Sequence, residues 1–214
     1  MTDIEKIHQQ LKFTGGSLKD EFPEQLLSIQ FIKSSSTVLE IGGNIGRNSC
    51  VISSLLDDSS RLVVLETNED DVKTLATNRD SNGFKFNIEN CAISLNKMFQ
   101  HGWNCVECEV NPGPGWKEVR TASWDYIKTK YNLNFDTLVA DCEGGLFYIL
   151  YQQEHFIDSF KTLIVENDYL DYNKKLYVDG IYEKHGFRKV SQQEGCIGGR
   201  PEWTIPDFYA VWQK

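Results

Sequence analysis

Apolar residues recur along this chain in short blocks separated by amphipathic stretches. Val38-Leu39-Glu40-Ile41, Leu62-Val63-Val64-Leu65, Thr137-Leu138-Val139-Ala140 and Leu163-Ile164-Val165 are nearly continuous apolar runs of strand length, the pattern of strands covered on both faces. Segments of helical period lie between and around them. Ile4, Ile7 and Leu11 mark a helix that runs to about Phe13, before the break at Gly15-Gly16. Phe22, Leu26, Ile29 and Ile32 place one apolar face on a second helix, closed by Ser34-Ser35-Ser36. Further helices are predicted over about 46–56, 69–79, 146–157 and 174–184, the last stopped by Gly186. Further strands are predicted over about 85–88, 187–191 and 208–212, the last two joined by a loop holding Gly195, Gly198 and Gly199.

Strands that alternate with helices predict an α/β fold: a doubly wound, mainly parallel seven-stranded sheet with helices on both faces, its last strand antiparallel. Residues 94 to about 118 break the alternation. They hold Trp103, Trp116 and Pro112-Gly113-Pro114-Gly115 and read as an irregular segment, which in a compact domain is functional or mobile. No repeat, low-complexity block or linker interrupts the chain. One domain over 1–214 is expected, with 1–35 as an N-terminal helical extension.

The turn after the first strand carries the most chemistry. Glu40-Ile41-Gly42-Gly43-Asn44-Ile45-Gly46 leads from a buried strand straight into a helix. Leu62 to Leu65 follows about twenty residues later with Glu66 at its tip, placed to accept hydrogen bonds from a ribose diol. Together they predict a nucleoside-containing cofactor at the carboxyl edge of the sheet. A dinucleotide fingerprint needs G-x-G-x-x-G, but its second and third glycine positions are Asn44 and Arg47 here. The pattern E-x-G-x-N-x-G fits S-adenosylmethionine, which has no phosphate: Glu40 suits its cationic end, and N–H groups at Gly42, Gly46 and the helix start suit its carboxylate. The alternative is a structural strand-turn-helix with an incidental acid.

Bulk properties narrow the partners. With 22 basic against 31 acidic residues the formal charge is −9, and no Lys/Arg stripe stands out, so long nucleic acid and anionic membrane are poor partners. A small molecule or a sugar suits the chain better. The six cysteines are scattered, and no signal-peptide pattern or membrane-length apolar run is present. A cytoplasmic protein with reduced thiols is the expectation. Cys105-Val-Glu-Cys108 lacks the second pair that a zinc site would want.

At Asp141-Cys142-Glu143-Gly144, on a strand tip before a helix, the chain resembles the FkbM family of class I S-adenosylmethionine-dependent methyltransferases, whose fold is Rossmann-like. The family's glycine turn is matched by Glu40 to Gly46 and its second-strand acid by Glu66. Its Asn-x-Ala segment is matched by Asn90-Cys91-Ala92-Ile93 and its t-x-x-D segment by Thr121 to Asp125. Its K-x-D-x-E-G motif falls on Asp141 to Gly144, its apolar strand ending in Glu on Leu163 to Glu166, and its Gly-Phe after a late helix on Gly186-Phe187. The resemblance runs from about residue 36 onward. Val139 stands where the family has lysine, Leu146 where it has an acid, and Thr67 where it has proline.

The resemblance implies that Asn90, Cys91 and Ala92 flank the adenine, though Cys91 also fits plain core. Asp141 and Glu143 share one side of an extended segment and would face the crevice where ligands bind in open α/β folds. Asp141 is expected near the sulfonium. Glu143 is expected as the base or substrate holder for O-methylation of a small-molecule or sugar hydroxyl, its structural alternative being a helix cap. With Glu166 these acids form an oxygen set that is not diagnostic of a metal, and no metal is assigned. His101 is the histidine to consider as a base, and Trp103 and Trp116 are candidates to stack on a ring. Two other functions stay open: an NAD- or nucleotide-sugar-binding oxidoreductase, and a binding module without activity.

Overall fold

The computed structural model describes residues 2–195 and 201–214. Gly198 and Gly199 of the expected glycine-rich loop lie outside the described residues. In chain order the elements are α1 (Asp3–Gln10), α2 (Phe22–Phe31), β1 (Val38–Ile41), α3 (Arg47–Leu55), β2 (Leu62–Leu65), α4 (Glu69–Ser81), β3 (Asn87–Glu89), β4 (Ala92–Ile93), β5 (Met98–His101), β6 (Asn104–Glu107) and β7 (Lys117–Val119). They continue with β8 (Thr121–Ala122), α5 (Trp124–Tyr131), β9 (Thr137–Ala140), α6 (Leu146–Gln152), β10 (Thr162–Glu166), α7 (Tyr172–Lys184), β11 (Arg188–Gln193) and β12 (Tyr209–Gln213).

Seven strands form the main sheet in the order β11-β12-β10-β9-β1-β2-β3. Only β12 runs antiparallel to its neighbours β10 and β11. The chain winds outward from β1 to β2 and β3, then restarts on the other side with β9 and β10. Val38 is therefore in register with Leu62 on one side and Thr137 on the other. This reversal at β1/β9 opens a crevice at the carboxyl ends of the two strands.

Alternation along the strands builds two cores. Leu39, Ile41, Val63, Leu65, Leu138 and Val165 face α5, α6 and α7, where Trp124, Leu150 and Tyr182 close the layer. Val38, Leu62, Val64, Val139 and Ile164 face the other way, against Leu27 of α2, Ile52 of α3 and Leu75 of α4. Val139, at the family's lysine position, is thus a core residue. The N-terminal segment is fastened to α4. Thr14 N–H donates to Asn78 Oδ1, and Asn78 Nδ2 donates to Thr14 O and Ile45 O.

Three expectations need correction. In α2 the buried positions are Glu24, Gln25, Leu27 and Ser28, whereas Leu26 is 39% exposed. Polar groups can be buried there because they find partners. Gln25 Nε2 donates to Leu18 O, its Oε1 meets His8 Nε2, and Ser28 Oγ donates to Asn48 Oδ1. The stretch after β4 is regular: β5, β6 and β7 form a three-stranded antiparallel sheet, framed by the parallel β4–β8 pair. Its strands are too short and too polar for periodicity to register. The helix expected over 146–157 divides, with α6 ending at Gln152 and a 3-10 turn over Glu154–Ser159.

Candidate functional site

β1 leaves the sheet at Gly42, whose φ of +87° is in the left-handed region; a Cβ there would lie 1.6 Å from the carbonyl oxygen of Asp141. Only glycine lets these two strand ends meet so closely. Asn44 has φ +47°, a conformation that asparagine tolerates better than most residues. Its Oδ1 accepts from Ile45 N–H at 2.7 Å and from Arg47 Nη1 at 3.2 Å. Asn44 therefore does the conformational work of the absent second glycine. Gly46, φ +94°, is the N-cap of α3.

The amides of this loop are not free. Gly42 and Gly43 N–H donate to Leu65 O, Asn44 N–H to Glu66 Oε2, Ile45 N–H to Asn44 Oδ1 and Gly46 N–H to Gly43 O. The expectation that Gly42 and Gly46 offer N–H groups to a ligand is overturned: these amides are consumed in shaping the turn. At the start of α3 a carboxylate is already in place. Glu21 accepts from Arg47 Nη1 at 3.2 Å.

Glu66, 8% exposed, accepts from Asn44 N–H at 2.8 Å and from Asn68 N–H at 2.7 Å. Burial raises its pKa, and these two N–H groups work against that rise. Asn90 braces the loop from behind, donating from Nδ2 to Glu66 O and Thr67 O. Glu40 is not on the lining of the site. It is buried between the sheet and α3, its Oε2 has no hydrogen-bond partner, and burial pushes its pKa up to about 8.

A cavity of about 540 Å³ opens at the carboxyl ends of β1, β2, β9 and β10, within the size range of small-molecule sites. Gly42, Asn44, Glu66, Cys91, Ala92, Asp141 and Glu143 line it. Glu40, Gly46 and Asn90 lie off its lining: the first faces α3, the second packs under α4 against Leu75, the third supports the backbone. Asp141 and Glu143 do meet the same cavity, but not by strand alternation. β9 ends at Ala140, and Glu143 takes φ +52°. The N-cap of α6 is Gly145, two residues beyond Glu143. His101 is off the lining, its ring 5.6 Å from that of Trp116. Trp103, at the tip of the β5–β6 hairpin, is on it and is 73% exposed. Cys105 is also on the lining, with a free thiol that burial pushes up to about 11.

The cavity is strongly acidic. Eight carboxylates line it, against one basic side chain among the described residues, Arg47. Arg47 is already engaged by Glu21, by Asp20 at 3.4 Å and by Ser17 O at 3.0 Å. Three of the carboxylates converge: Glu24 of α2, Asp141 and Glu166, with oxygens within 4.8 Å of one another. Burial raises the pKa of Glu24 and of Asp141, and the neighbouring carboxylates raise both further. Glu24 was hidden from the sequence because an acid in the first turn of a helix is ordinary there. The set Asp141, Glu143 and Glu166 considered from sequence is not the one that converges; Glu24 takes the place of Glu143.

No protein-family model matches the chain, and no curated protein matches it in sequence. Solved structures do match in fold. The O-methyltransferase from Bacillus cereus, in complex with SAH, aligns at TM-score 0.54 and 14% identity over 99% of this chain and 90% of that one. Precorrin-6y C5,15-methyltransferase from Geobacter metallireducens aligns at 0.52 and 11%, over 100% and 97%. An rRNA methylase from Streptococcus thermophilus aligns at 0.51 and 8%, over 94% and 99%. The chain has the Rossmann-like fold of class I S-adenosylmethionine-dependent methyltransferases.

Proposed function

We propose that this chain is an S-adenosylmethionine-dependent methyltransferase that methylates a hydroxyl of a small molecule or sugar. The observation that carries the proposal is the position of Glu66: a buried acid at the tip of β2, beside the loop that leaves β1, on the rim of a cavity at the sheet's switch point. The fold match to methyltransferases and the ordered FkbM-like motifs support the same conclusion.

The residues present fit such a cofactor. Glu66 keeps further lone pairs for the ribose hydroxyls, and Cys91, Ala92 and Ile93 give an apolar wall for the adenine. Arg47, now held by Glu21, would take the carboxylate of the methionine end, and the acids around it would face the ammonium. When bound, the cofactor supplies an electrophilic methyl group on sulfur. The chain's own residues do the rest. Tyr148, Phe208 and Tyr209 shape the far wall and exclude water, and positioning alone is worth up to about 7–11 kcal/mol in good intramolecular models. Glu143 would accept the hydroxyl proton as the oxygen bonds to carbon, while Asp141 would steady the positive charge beside it.

Thermal unfolding with S-adenosylmethionine, S-adenosylhomocysteine and NAD tests the cofactor assignment. A ligand at about a hundred times Kd adds roughly 2.7 kcal/mol, or about 5–10 °C for a chain of this size. The two sulfur ligands should raise the midpoint and NAD should not; a rise with NAD alone would overturn the proposal.

A further inference from the structure

The cavity divides into two halves of different character. The β1–β2 side holds Gly42, Asn44 and Glu66, with its acid locked by backbone N–H groups. The β9–β10–β12 side holds Glu24, Asp141 and Glu166 with the rings of Phe208 and Tyr209. If the first half receives the nucleoside, the second receives the acceptor, so the nature of the acceptor is inferred on the methyltransferase reading of this same site.

Three carboxyl groups packed within 4.8 Å of one another repel when ionised. Lys and His are absent from the described lining, and Arg47, held by Asp20 and Glu21 on the other side, would be occupied there by the cofactor's carboxylate. The charges of Glu24, Asp141 and Glu166 also bear on the Tyr209 hydroxyl, which places that ring beside the cluster. Carboxylates flanked by aromatic rings are the surroundings that stabilise an organic ammonium, through charge-assisted hydrogen bonds and cation–π attraction together. Trp103, also on the lining, is 73% exposed on a hairpin tip. No core packing accounts for it, and an aromatic face is open there for a ligand.

From this geometry we propose that the methyl acceptor carries a protonated amine, as an amino sugar or an aryl-alkyl amino alcohol does. The ammonium sits on the Glu24–Asp141–Glu166 side while the hydroxyl meets Glu143. A phosphorylated or carboxylated acceptor is excluded by the same charges, since the described lining offers an added anion no uncommitted cation.

Matched pairs test this directly: glucosamine against glucose, and tyramine against 4-ethylphenol. Binding is measured by calorimetry in EDTA, with and without saturating S-adenosylhomocysteine. Each amine should bind about tenfold or more tightly than its neutral partner. Glu24→Gln and Glu166→Gln should each cut that ratio severalfold while leaving S-adenosylhomocysteine affinity unchanged. Where neither variant folds, the wild-type ratio decides. Equal binding within both pairs, no binding of either amine, or a ratio unmoved in folded variants overturns the proposal. So does capture of Mg²⁺ or Mn²⁺ on the cluster that blocks the amines. Loss of S-adenosylhomocysteine binding in the wild type would instead sink the cofactor assignment, and the amine ratio measured without it would still decide this one.

Discussion

Glu66 and Asp141 both stand at strand tips on the same cavity, yet their surroundings differ in kind. The Glu66 carboxylate is met by the N–H groups of Asn44 and Asn68, dipoles that favour the ionised form. Asp141 is met by Glu24 and Glu166, charges that oppose it. Burial raises the pKa of both acids, but in one half of the cavity N–H dipoles oppose that rise, and in the other the neighbouring acids add to it. An acid held in place by N–H groups suits a fixed neutral diol. A crowded set of acids favours whichever cation arrives. The contrast teaches that two acids at equivalent strand ends take different roles through their neighbours, not through their identity.

The variant expected to disturb both halves most is Gly42→Ala, since the added methyl carbon would meet Asp141 O at 1.6 Å. A loss of about 4 kcal/mol or more is expected, read as a fall in midpoint of roughly 8–16 °C by thermal unfolding; a near-wild-type midpoint would show that the two strand ends can part freely. Next comes Glu143→Gln, which should lower kcat about 10²–10⁴-fold and leave S-adenosylhomocysteine affinity intact, as stopped-assay kinetics and calorimetry would show. An undiminished kcat would remove Glu143 as the base. Glu66→Gln should act on the other half alone, weakening S-adenosylhomocysteine binding by about 10–100-fold through lost charge-assisted bonds.

The smallest effect concerns Glu40, which is buried between the sheet and α3. Its pKa is raised from 4.5 to about 8 by burial, so the native state keeps a proton that the unfolded chain has already released. Stability from this group is full below pH 4.5 and is lost progressively as pH climbs toward 8. The slope is about 1.4 kcal/mol per pH unit, or roughly 3–6 °C for a chain of this length. Glu40→Gln should flatten the midpoint between about pH 6 and 7 by that amount; the buried Glu24 and Asp141, shifted in the same direction, keep some slope in the variant. An unaltered slope would mean that Glu40 ionises freely in place.

Much of this was legible in the residues. Apolar strand runs interrupted by amphipathic helices led to the seven-stranded sheet, because a strand covered on both faces leaves an unmistakable block such as Leu62 to Leu65. Glu66 and Asp141 were legible because they directly follow such blocks. The β5–β6–β7 sheet was not, since strands of three or four residues with Gln100, Asn104 and Lys117 in them carry too little periodicity. Glu40 was misjudged because sequence order cannot say which face of a strand's last turn looks at ligand and which looks at a helix.

What the amino-acid order determined by itself is local: the strand and helix periods, the left-handed turn that Gly42, Asn44 and Gly46 permit, and the acids Glu66, Asp141 and Glu166 at the ends of three strands. What only the tertiary structure decided is company. Glu24 and Glu166 are separated by most of the domain in sequence, yet packing of α2 onto β10 brings their carboxyl oxygens within 4.8 Å, and Glu21 crosses to the start of α3 to claim Arg47. Electrostatics acts through space and depends on burial, so the charge of this cavity existed nowhere until the chain closed around it.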